Sequence, residues 1–118
     1  MIQSIRPFIG AKDYQVAQKF YQEIGFEPLE LSHHLMVFKK ENFAFYLQDA
    51  YVEDWVNNSM VFLELDELDT YHRQLKAKNL PAQFEGVKLS EIQIMPWGKV
   101  FYLHDPSSIL WHIGTFNS

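Results

Sequence analysis

The strand-like stretch ILWHIG near the end of the sequence contains one ionisable side chain, His112. An imidazole in this setting can bind a metal ion, contact a ligand, or lie in the core with its ring nitrogens hydrogen-bonded. The turn-forming residues Asp105-Pro106-Ser107-Ser108 come before it and predict a hairpin with the preceding strand, KVFYLH. Which of the three roles His112 has depends on what the other strands place beside it.

Alternation of side chains along predicted strands places further candidates on the same kind of surface. In the stretch MVFLEL, Met60, Phe62 and Glu64 share one face, and the aliphatic residues between them are expected to pack against a helix. By the same rule His112 lies on the open face of its strand, whereas Trp111 beside it packs under a helix. The sequence therefore predicts an open sheet face that carries a carboxylate, an imidazole and large apolar side chains.

The first predicted strand, IRPFI, places Arg6 and Phe8 on an open face as well. Two interpretations of these residues stay open. In one, Arg6, Glu64 and His112 converge in an aromatic-lined hollow that binds a ligand. In the other, Arg6 and Glu64 form an ion pair and His112 is bonded to a tyrosine, because ionic groups in clefts are often structural.

Two tryptophans are expected outside the core. Trp97 lies next to Gly98 in the turn-like stretch MPWGK, and Trp55 lies in a linker between strands. Exposed aromatic residues of this kind can cover a bound ligand, and they can also pack at a dimer interface.

The other histidines singled out are expected to lie in solvent. His33-His34 looks like a metal-binding dipeptide, but no third ligand is near it in the sequence, and His72 has Lys76 one turn away on a predicted helix. The chain also lacks a glycine-rich phosphate loop and a serine nucleophile elbow. We therefore predict no catalytic residue.

The composition indicates one globular domain. The chain has 118 residues, of which 47% are hydrophobic and 16% aromatic, and it has no cysteine for a disulfide, a thiolate zinc site or a nucleophile. A formal net charge of −5 with scattered basic residues argues against nucleic acid and is compatible with a cationic or neutral small ligand. We expect a cytoplasmic protein with no membrane association, since the sequence lacks the roughly 18–20 apolar residues of a membrane span and a signal-peptide pattern.

The predicted elements form one unit that occurs twice. Residues 1–50 are predicted to form a strand, a helix and three further strands, and residues 60–118 repeat this order after a linker at 51–59. In the second copy the strand after the helix is assigned to AQFEG. The two modules together make a single domain.

The helix boundaries follow from capping residues. Apolar spacing predicts helices over about Tyr14–Ile24 and Glu67–Lys78. Asp13 is the expected N-cap of the first, and Gly25 its C-terminal stop. Asn79 is expected to end the second in a left-handed conformation.

This order of elements predicts an α+β fold. Each sheet has one face covered by its helix and one bare face, so two curved mixed sheets can enclose a cleft with the helices outside. The cleft is the natural ligand site. We also expect a homodimer, because the chain has a surplus of aromatic residues and two open sheets whose edges need partners.

Three stretches resemble the vicinal oxygen chelate superfamily, which includes glyoxalase I, the bleomycin-resistance proteins and extradiol dioxygenases. KDYQVAQKFYQEIGFE is similar to its first helix, VFLELDELDTYHRQLKAKNL to the start of its second module, and PWGKVFYLHDPSSILWHI to its closing hairpin. The superfamily usually has Asp-Pro-Asp-Gly at the last turn, and Ser107-Ser108 departs from that pattern. The resemblance spans nearly the whole chain and implies the two-module fold.

The resemblance also implies where a metal ion would be bound. The four ligand positions of the superfamily's metalloenzymes fall on Arg6, Tyr46, Met60 and His112, with Gln48 replacing Tyr46 if the register slips by two. A guanidinium has no lone pair to give, and a thioether is a poor ligand for the divalent ions these enzymes use. We therefore expect no bound metal and no cofactor.

The resemblance favours a metal-free binding protein of the bleomycin-resistance type, which sequesters a small organic or drug-like molecule. The predicted ligand-binding residues are Arg6, Phe8, Tyr46, Gln48, Trp55, Met60, Phe62, Glu64, Trp97 and His112. A metal-dependent enzyme of the glyoxalase or dioxygenase type is the alternative. A protein-interaction domain is the third possibility.

Overall fold

Nine strands and four helices make up the chain in a computed structural model that describes residues 1–118. The strands are β1 Phe8–Gly10, β2 Glu27–Ser32, β3 Leu35–Lys40, β4 Phe43–Gln48, β5 Met60–Glu64, β6 Lys88–Leu89, β7 Gln93–Met95, β8 Gly98–His104 and β9 Leu110–Phe116. The helices are α1 Tyr14–Glu23, α2 Glu53–Asn57, α3 Leu68–Ala77 and α4 Leu80–Gln83. No helix is long and apolar enough to cross a membrane.

The strands form two open, mixed sheets. The first sheet has the order β1-β4-β3-β2, and the second has the order β5-β9-β8-β6, with β7 also pairing with β8. In each sheet the strand that comes first in the chain pairs in parallel with the strand that comes last in the chain. The remaining pairs are antiparallel. The predicted α+β fold class is confirmed.

Both long helices begin and end within one residue of the predicted positions. The Asp13 side chain accepts a hydrogen bond from the Val16 amide at 3.1 Å, which caps α1. Gly25 follows α1 with φ +107°, a conformation that costs little for glycine alone. Asn79 follows α3 in the left-handed region, as its position predicted.

The strand predicted at AQFEG is wrong. Ala82 and Gln83 belong to α4, a single helical turn that starts directly after Asn79. Pro81 stands at the beginning of this turn, where a missing N–H costs nothing because the first amides of a helix have no partner inside it. The residue that stops α3 therefore also starts a new turn, and the next strand begins only at Lys88.

The first strand is shorter than the predicted Ile5–Ile9 and begins at Phe8. Pro7 has no N–H to give to the sheet, although its carbonyl accepts a hydrogen bond from the Tyr46 amide at 2.9 Å. Arg6 consequently lies just before the strand, in the N-terminal segment that belongs to no helix or strand.

The helix-covered faces of the two sheets share one core. Phe45 of the first sheet and Trp111 of the second are in direct contact, with ring centroids 5.4 Å apart. Tyr21 of α1 packs between them and contacts both rings. The covered faces of both sheets therefore belong to one continuous core.

A buried hydrogen-bond network joins the two modules through this core. The Tyr21 hydroxyl donates to Asp105 Oδ2 at 2.6 Å and accepts from Trp111 Nε1 at 3.0 Å. The other oxygen of Asp105 accepts from the amides of Ser107 and Ile109, both at 2.8 Å. Burial raises the pKa of the Asp105 carboxyl to about 6, although these hydrogen bonds act to lower it.

The turn that departs from the superfamily pattern is held by local contacts. Ser108 takes φ +77°, which is where that pattern has glycine. Ser107 is buried, and its hydroxyl oxygen accepts a hydrogen bond from the Lys12 amide at 2.8 Å. Ser107 thus makes a further hydrogen bond between the modules, and Ser108 places a non-glycine residue in a costly conformation.

Candidate ligand-binding site

His112 lies in the middle of the bare face of the second sheet. The strand register places it between Phe62 of β5 and Tyr102 of β8. Its ring stacks against Phe62 with centroids 6.3 Å apart and meets the edge of Tyr102 at 5.1 Å. It forms no hydrogen bond within the chain, so the prediction of a histidine bonded to a tyrosine is wrong.

Three aromatic rings form a continuous surface beside His112, which we call the aromatic patch: Phe62, Trp97 and Phe116. Trp97 lies 6.1 Å from Phe62 and 5.0 Å from Phe116, measured between ring centroids. Gly114 makes room for this patch, because a Cβ atom there would lie 2.9 Å from Cζ of Phe62. Met60 and Glu64, also exposed, complete the face along β5.

The bare face of the first sheet carries the other predicted residues. Phe8 and Tyr46 are register partners, and their rings lie 4.7 Å apart. The Arg6 guanidinium is 5.8 Å from the Tyr46 ring centroid. Gln48 lies two residues further along the same strand and so shares this face.

A groove of about 1110 Å³ separates the edges of the two sheets. Arg6, Phe62 and Glu64 all line it, so these three predicted residues do come together. Arg6 and Glu64 nevertheless form no ion pair, and the ionic interpretation of the two residues is wrong. His112 and Tyr46 do not line the groove.

The predicted residues therefore belong to two sheets, and within one chain only Arg6, Phe62 and Glu64 meet, at the groove. Arg6, Phe8, Tyr46 and Gln48 belong to the first sheet, and Met60, Phe62, Glu64, Trp97 and His112 to the second. No hydrogen bond, ion pair or aromatic contact joins the ring of Phe8 or Tyr46 to that of Phe62 or His112. Trp55 stands apart from both groups, exposed on α2.

The fold is shared with several solved structures. A bleomycin resistance determinant encoded on the transposon Tn5 has a TM-score of 0.82 and 16% identity, over 99% of this chain and 100% of that chain. A bleomycin-binding protein complexed with bleomycin has a TM-score of 0.82 and 18% identity, over 98% and 100%. A lactoylglutathione lyase from Agrobacterium tumefaciens has a TM-score of 0.70 and 18% identity, over 98% and 95%. No protein-family model and no curated protein sequence matches the chain.

The chain has the vicinal oxygen chelate fold. The resemblance carried by the three sequence stretches is thus confirmed at the level of the fold. The four metal-ligand positions that the resemblance implied lie on the bare faces or at their margin. Two of them, Arg6 and Tyr46, belong to the first sheet, and Met60 and His112 belong to the second.

No three histidine, aspartate or glutamate side chains are arranged to hold a metal ion within the chain. His34 Nδ1 lies 3.5 Å from Asp49 Oδ2, but both side chains are exposed and no third ligand is near. His33 lies in the same exposed turn, as predicted.

The prediction that His72 lies in solvent is wrong. Its side chain is buried on α3, where Nε2 donates to the Ser90 carbonyl at 2.8 Å and the ring meets the edge of Phe101. The segment that precedes β7 covers this side of α3, and no sequence pattern near His72 signals that contact.

Sequence reasoning missed one end of the second bare face. Lys88, Tyr102 and His104 line a hollow of about 470 Å³, together with Leu89, Ser90 and Leu110. Alternation along KVFYLH could have placed Tyr102 and His104 on the open face. Lys88 could not have been found, because the strand it belongs to was assigned to AQFEG.

Proposed function

We propose that this protein binds a small organic, drug-like molecule on its bare sheet faces and sequesters it without a metal ion. One observation carries the proposal: the sheet faces that no helix covers hold large apolar side chains in solvent. Phe8 is 57% exposed, Met60 66%, Phe62 44% and Phe116 52%. Large apolar side chains exposed together on a sheet face are characteristic of a binding site.

The complete cleft in this proposal needs two copies of the chain. A homodimer that sets the first bare face of one copy against the second bare face of the other would bring the two groups of predicted residues together. The unpaired outer edge of β5 and the exposed Ile2 and Ile5 in the N-terminal segment support such a contact. Each dimer would then hold two equivalent clefts.

The chemistry of the cleft is suited to holding a ligand. The aromatic patch offers stacking surface, and Arg6 over Tyr46 offers a second flat surface with a positive charge. His112 is free to donate or accept one hydrogen bond. Sequestration acts by lowering the free concentration of the ligand, and no bond needs to be made or broken.

The similar structures support a ligand-binding function for this chain and do not identify its ligand. Two of them are described as bleomycin resistance or bleomycin-binding proteins, and a third is TnmS3, an antibiotic binding protein from Streptomyces sp. CB03234, with a TM-score of 0.76 and 18% identity over 98% of each chain. Cytoplasmic location remains a prediction from the sequence alone.

A thermal-shift screen with bleomycin and a panel of flat aromatic antibiotics tests the proposal. A ligand that binds only the native state stabilises it by about 2.7 kcal/mol at a hundredfold excess over Kd, which raises the melting temperature. His112→Ala should weaken the binding of any hit by about 1–3 kcal/mol. The matched control His33→Ala, in an exposed turn, should leave binding unchanged.

Two further measurements test the finer parts of the proposal. Metal analysis of protein purified without an affinity tag should find no stoichiometric ion. An ion bound to His112 together with carboxylate or imidazole side chains would favour the glyoxalase or dioxygenase type instead. Sedimentation at tens of micromolar should give a dimer, and a monomer would contradict the composite cleft. An absence of any small-molecule hit would favour the protein-interaction domain.

A further inference from the structure

Three of the six residues that line the hollow at the far end of the second bare face, Lys88, Tyr102 and His104, carry side-chain hydrogen-bond donors, and the surface between them is mainly apolar. Lys88 of β6 and His104 of β8 are direct register partners, so their side chains lie side by side on the bare face. Tyr102 stands two residues before His104 and also lines the hollow, which has a volume of about 470 Å³.

The polar groups of these three side chains form no ion pair or hydrogen bond with the rest of the protein. The four ion pairs of the chain do not include Lys88, and neither the Tyr102 hydroxyl nor the His104 ring forms a hydrogen bond within it. Burial lowers the pKa of His104, and the nearby charge of Lys88 lowers it further. The lowered pKa of His104 is consistent with a neighbouring Lys88 and no anion between the two side chains.

The charge of this hollow is opposite to that of the chain as a whole. The sequence carries a formal net charge of −5, yet no aspartate or glutamate lines the hollow. The carboxylate of the second bare face, Glu64, lies on β5 at the opposite edge of the sheet. A ligand that lies across the face is therefore offered donors at one end and a carboxylate at the other.

The floor of the hollow is held in place from both sides. The Ser90 hydroxyl oxygen accepts a hydrogen bond from the Tyr102 amide at 2.8 Å. Beneath the sheet, the buried His72 donates to the Ser90 carbonyl at 2.8 Å. These contacts fix the β6 segment against β8, so Lys88 and His104 stand on a supported surface.

The row Phe62–His112–Tyr102 connects the aromatic patch with the hollow. The outer strands of this sheet, β5 and β6, are three strand spacings apart, which is roughly 14 Å. A molecule with three fused rings and one side group has about that length. Such a molecule can stack on the patch, pass His112 and reach Lys88.

We propose that Lys88, His104 and Tyr102 form a subsite for the carboxylate or phosphate group of a ligand whose flat aromatic body lies on the aromatic patch. The subsite rests on the proposed ligand-binding function and names the class of ligand. His112 lies between the two ends and contacts the middle of the ligand. The orientation is fixed because an anionic group is repelled by Glu64 at the other end.

Binding of the anion should depend on pH. Protonation of His104 adds a positive charge beside the anion, so the affinity for a carboxylate, which stays ionised in this range, should rise as the pH falls through the His104 titration. The other titratable groups that face His104 are Lys88 and Tyr102, with His112 next along the face. All of them are donors when protonated, and none opposes the effect.

Four anthracene probes that differ in one substituent test the proposal: anthracene-2-carboxylate, 2-anthryl phosphate, anthracene-2-carboxamide and 2-anthrylmethylammonium. Binding is followed by NMR through the Trp97 indole and His104 imidazole signals of the full chain. At least one anionic probe should bind about tenfold more tightly than the amide, the size of one charge-assisted hydrogen bond. Its complex should shift the His104 signals, and the preferred anion identifies the group.

The variant Lys88→Gln should remove this preference and leave the affinity for the amide unchanged. Lys19→Gln makes the same charge change on the exposed side of α1 and should leave the preference intact. If all four probes bind equally, or if Lys88→Gln has no effect, the subsite is overturned while the proposed ligand-binding function stands. If no probe perturbs Trp97, the subsite is overturned as well, and the proposed ligand-binding function falls with it only if the thermal-shift screen also finds no ligand.

Discussion

The two faces of β9 differ in how completely their side chains are engaged. On the covered face, Trp111 is only 3% exposed, and its ring N–H is bonded to Tyr21. On the bare face, one residue further along the chain, the His112 ring has aromatic neighbours and forms no hydrogen bond. A single strand thus separates residues that hold the fold together from residues that are free to bind.

The same difference runs across the whole second sheet. On the covered face, the polar groups of Tyr21, Asp105 and Trp111 are hydrogen-bonded to one another, and this network also joins the two modules. The bare face leaves the polar ends of Tyr102 and Lys88 without partners. Substitutions on the covered face should therefore cost stability, whereas those on the bare face should cost binding alone.

Asp105→Ala should have the largest effect on stability. The substitution leaves the Tyr21 hydroxyl and the amides of Ser107 and Ile109 buried without an acceptor, and each such group costs about 1–3 kcal/mol. We expect a loss of about 3–5 kcal/mol in the free energy of unfolding, measured by urea denaturation. Asp49→Ala removes an exposed carboxylate as a control and should cost less than about 0.5 kcal/mol. Similar losses of unfolding free energy for both variants would contradict the structural role assigned to the covered face.

The pH dependence of stability should also trace to Asp105. Burial raises its pKa in the folded protein from 3.8 to about 6, so the folded state holds this proton more tightly than the unfolded chain. The resulting stabilisation is fully present below about pH 4 and is lost as the pH rises through 6. The stability of the wild type relative to Asp105→Asn should therefore fall by about 2–3 kcal/mol between pH 4 and pH 7. A constant difference would show that Asp105 is not the group responsible.

His72→Ala tests the same comparison of the two faces. His72 lies on the covered side of the second sheet and supports Ser90, which lines the hollow on the bare face. The variant loses a buried ring that packs on Phe101 and the hydrogen bond to the Ser90 carbonyl. We expect a loss of about 2 kcal/mol in urea denaturation, at the low end for truncation of a large buried side chain. His34→Ala, on an exposed turn, is the matched control and should be neutral.

Local patterns in the sequence predicted most of the fold, while contacts between distant segments escaped them. The cap at Asp13 and the alternation of Met60, Phe62 and Glu64 depend on neighbouring residues, and both are as predicted. The burial of His72 depends on a segment that folds over α3 from further along the chain. Asn79 misled the assignment because a left-handed residue can end one helix and begin another turn.

The sequence predicted which side chains lie on each bare face, but it did not predict whether the two faces meet. Alternation correctly put Phe8 and His112 on bare faces, because it needs only the register of a strand. Whether those faces meet depends on how the modules pack, and that is decided by the contact of Phe45 with Trp111 in the shared core. No pattern within either strand encodes that contact.

The smallest effect on stability is expected for His112→Ala. The residue buries little polar surface and breaks no hydrogen bond when it is removed, so the free energy of unfolding should change by less than about 0.5 kcal/mol. Ile113→Ala, one residue along on the covered face and 1% exposed, should cost about 2–5 kcal/mol in the same urea titration. Equal losses for these neighbours would mean that His112 supports the fold, and the division of β9 into a structural and a binding face would then be wrong.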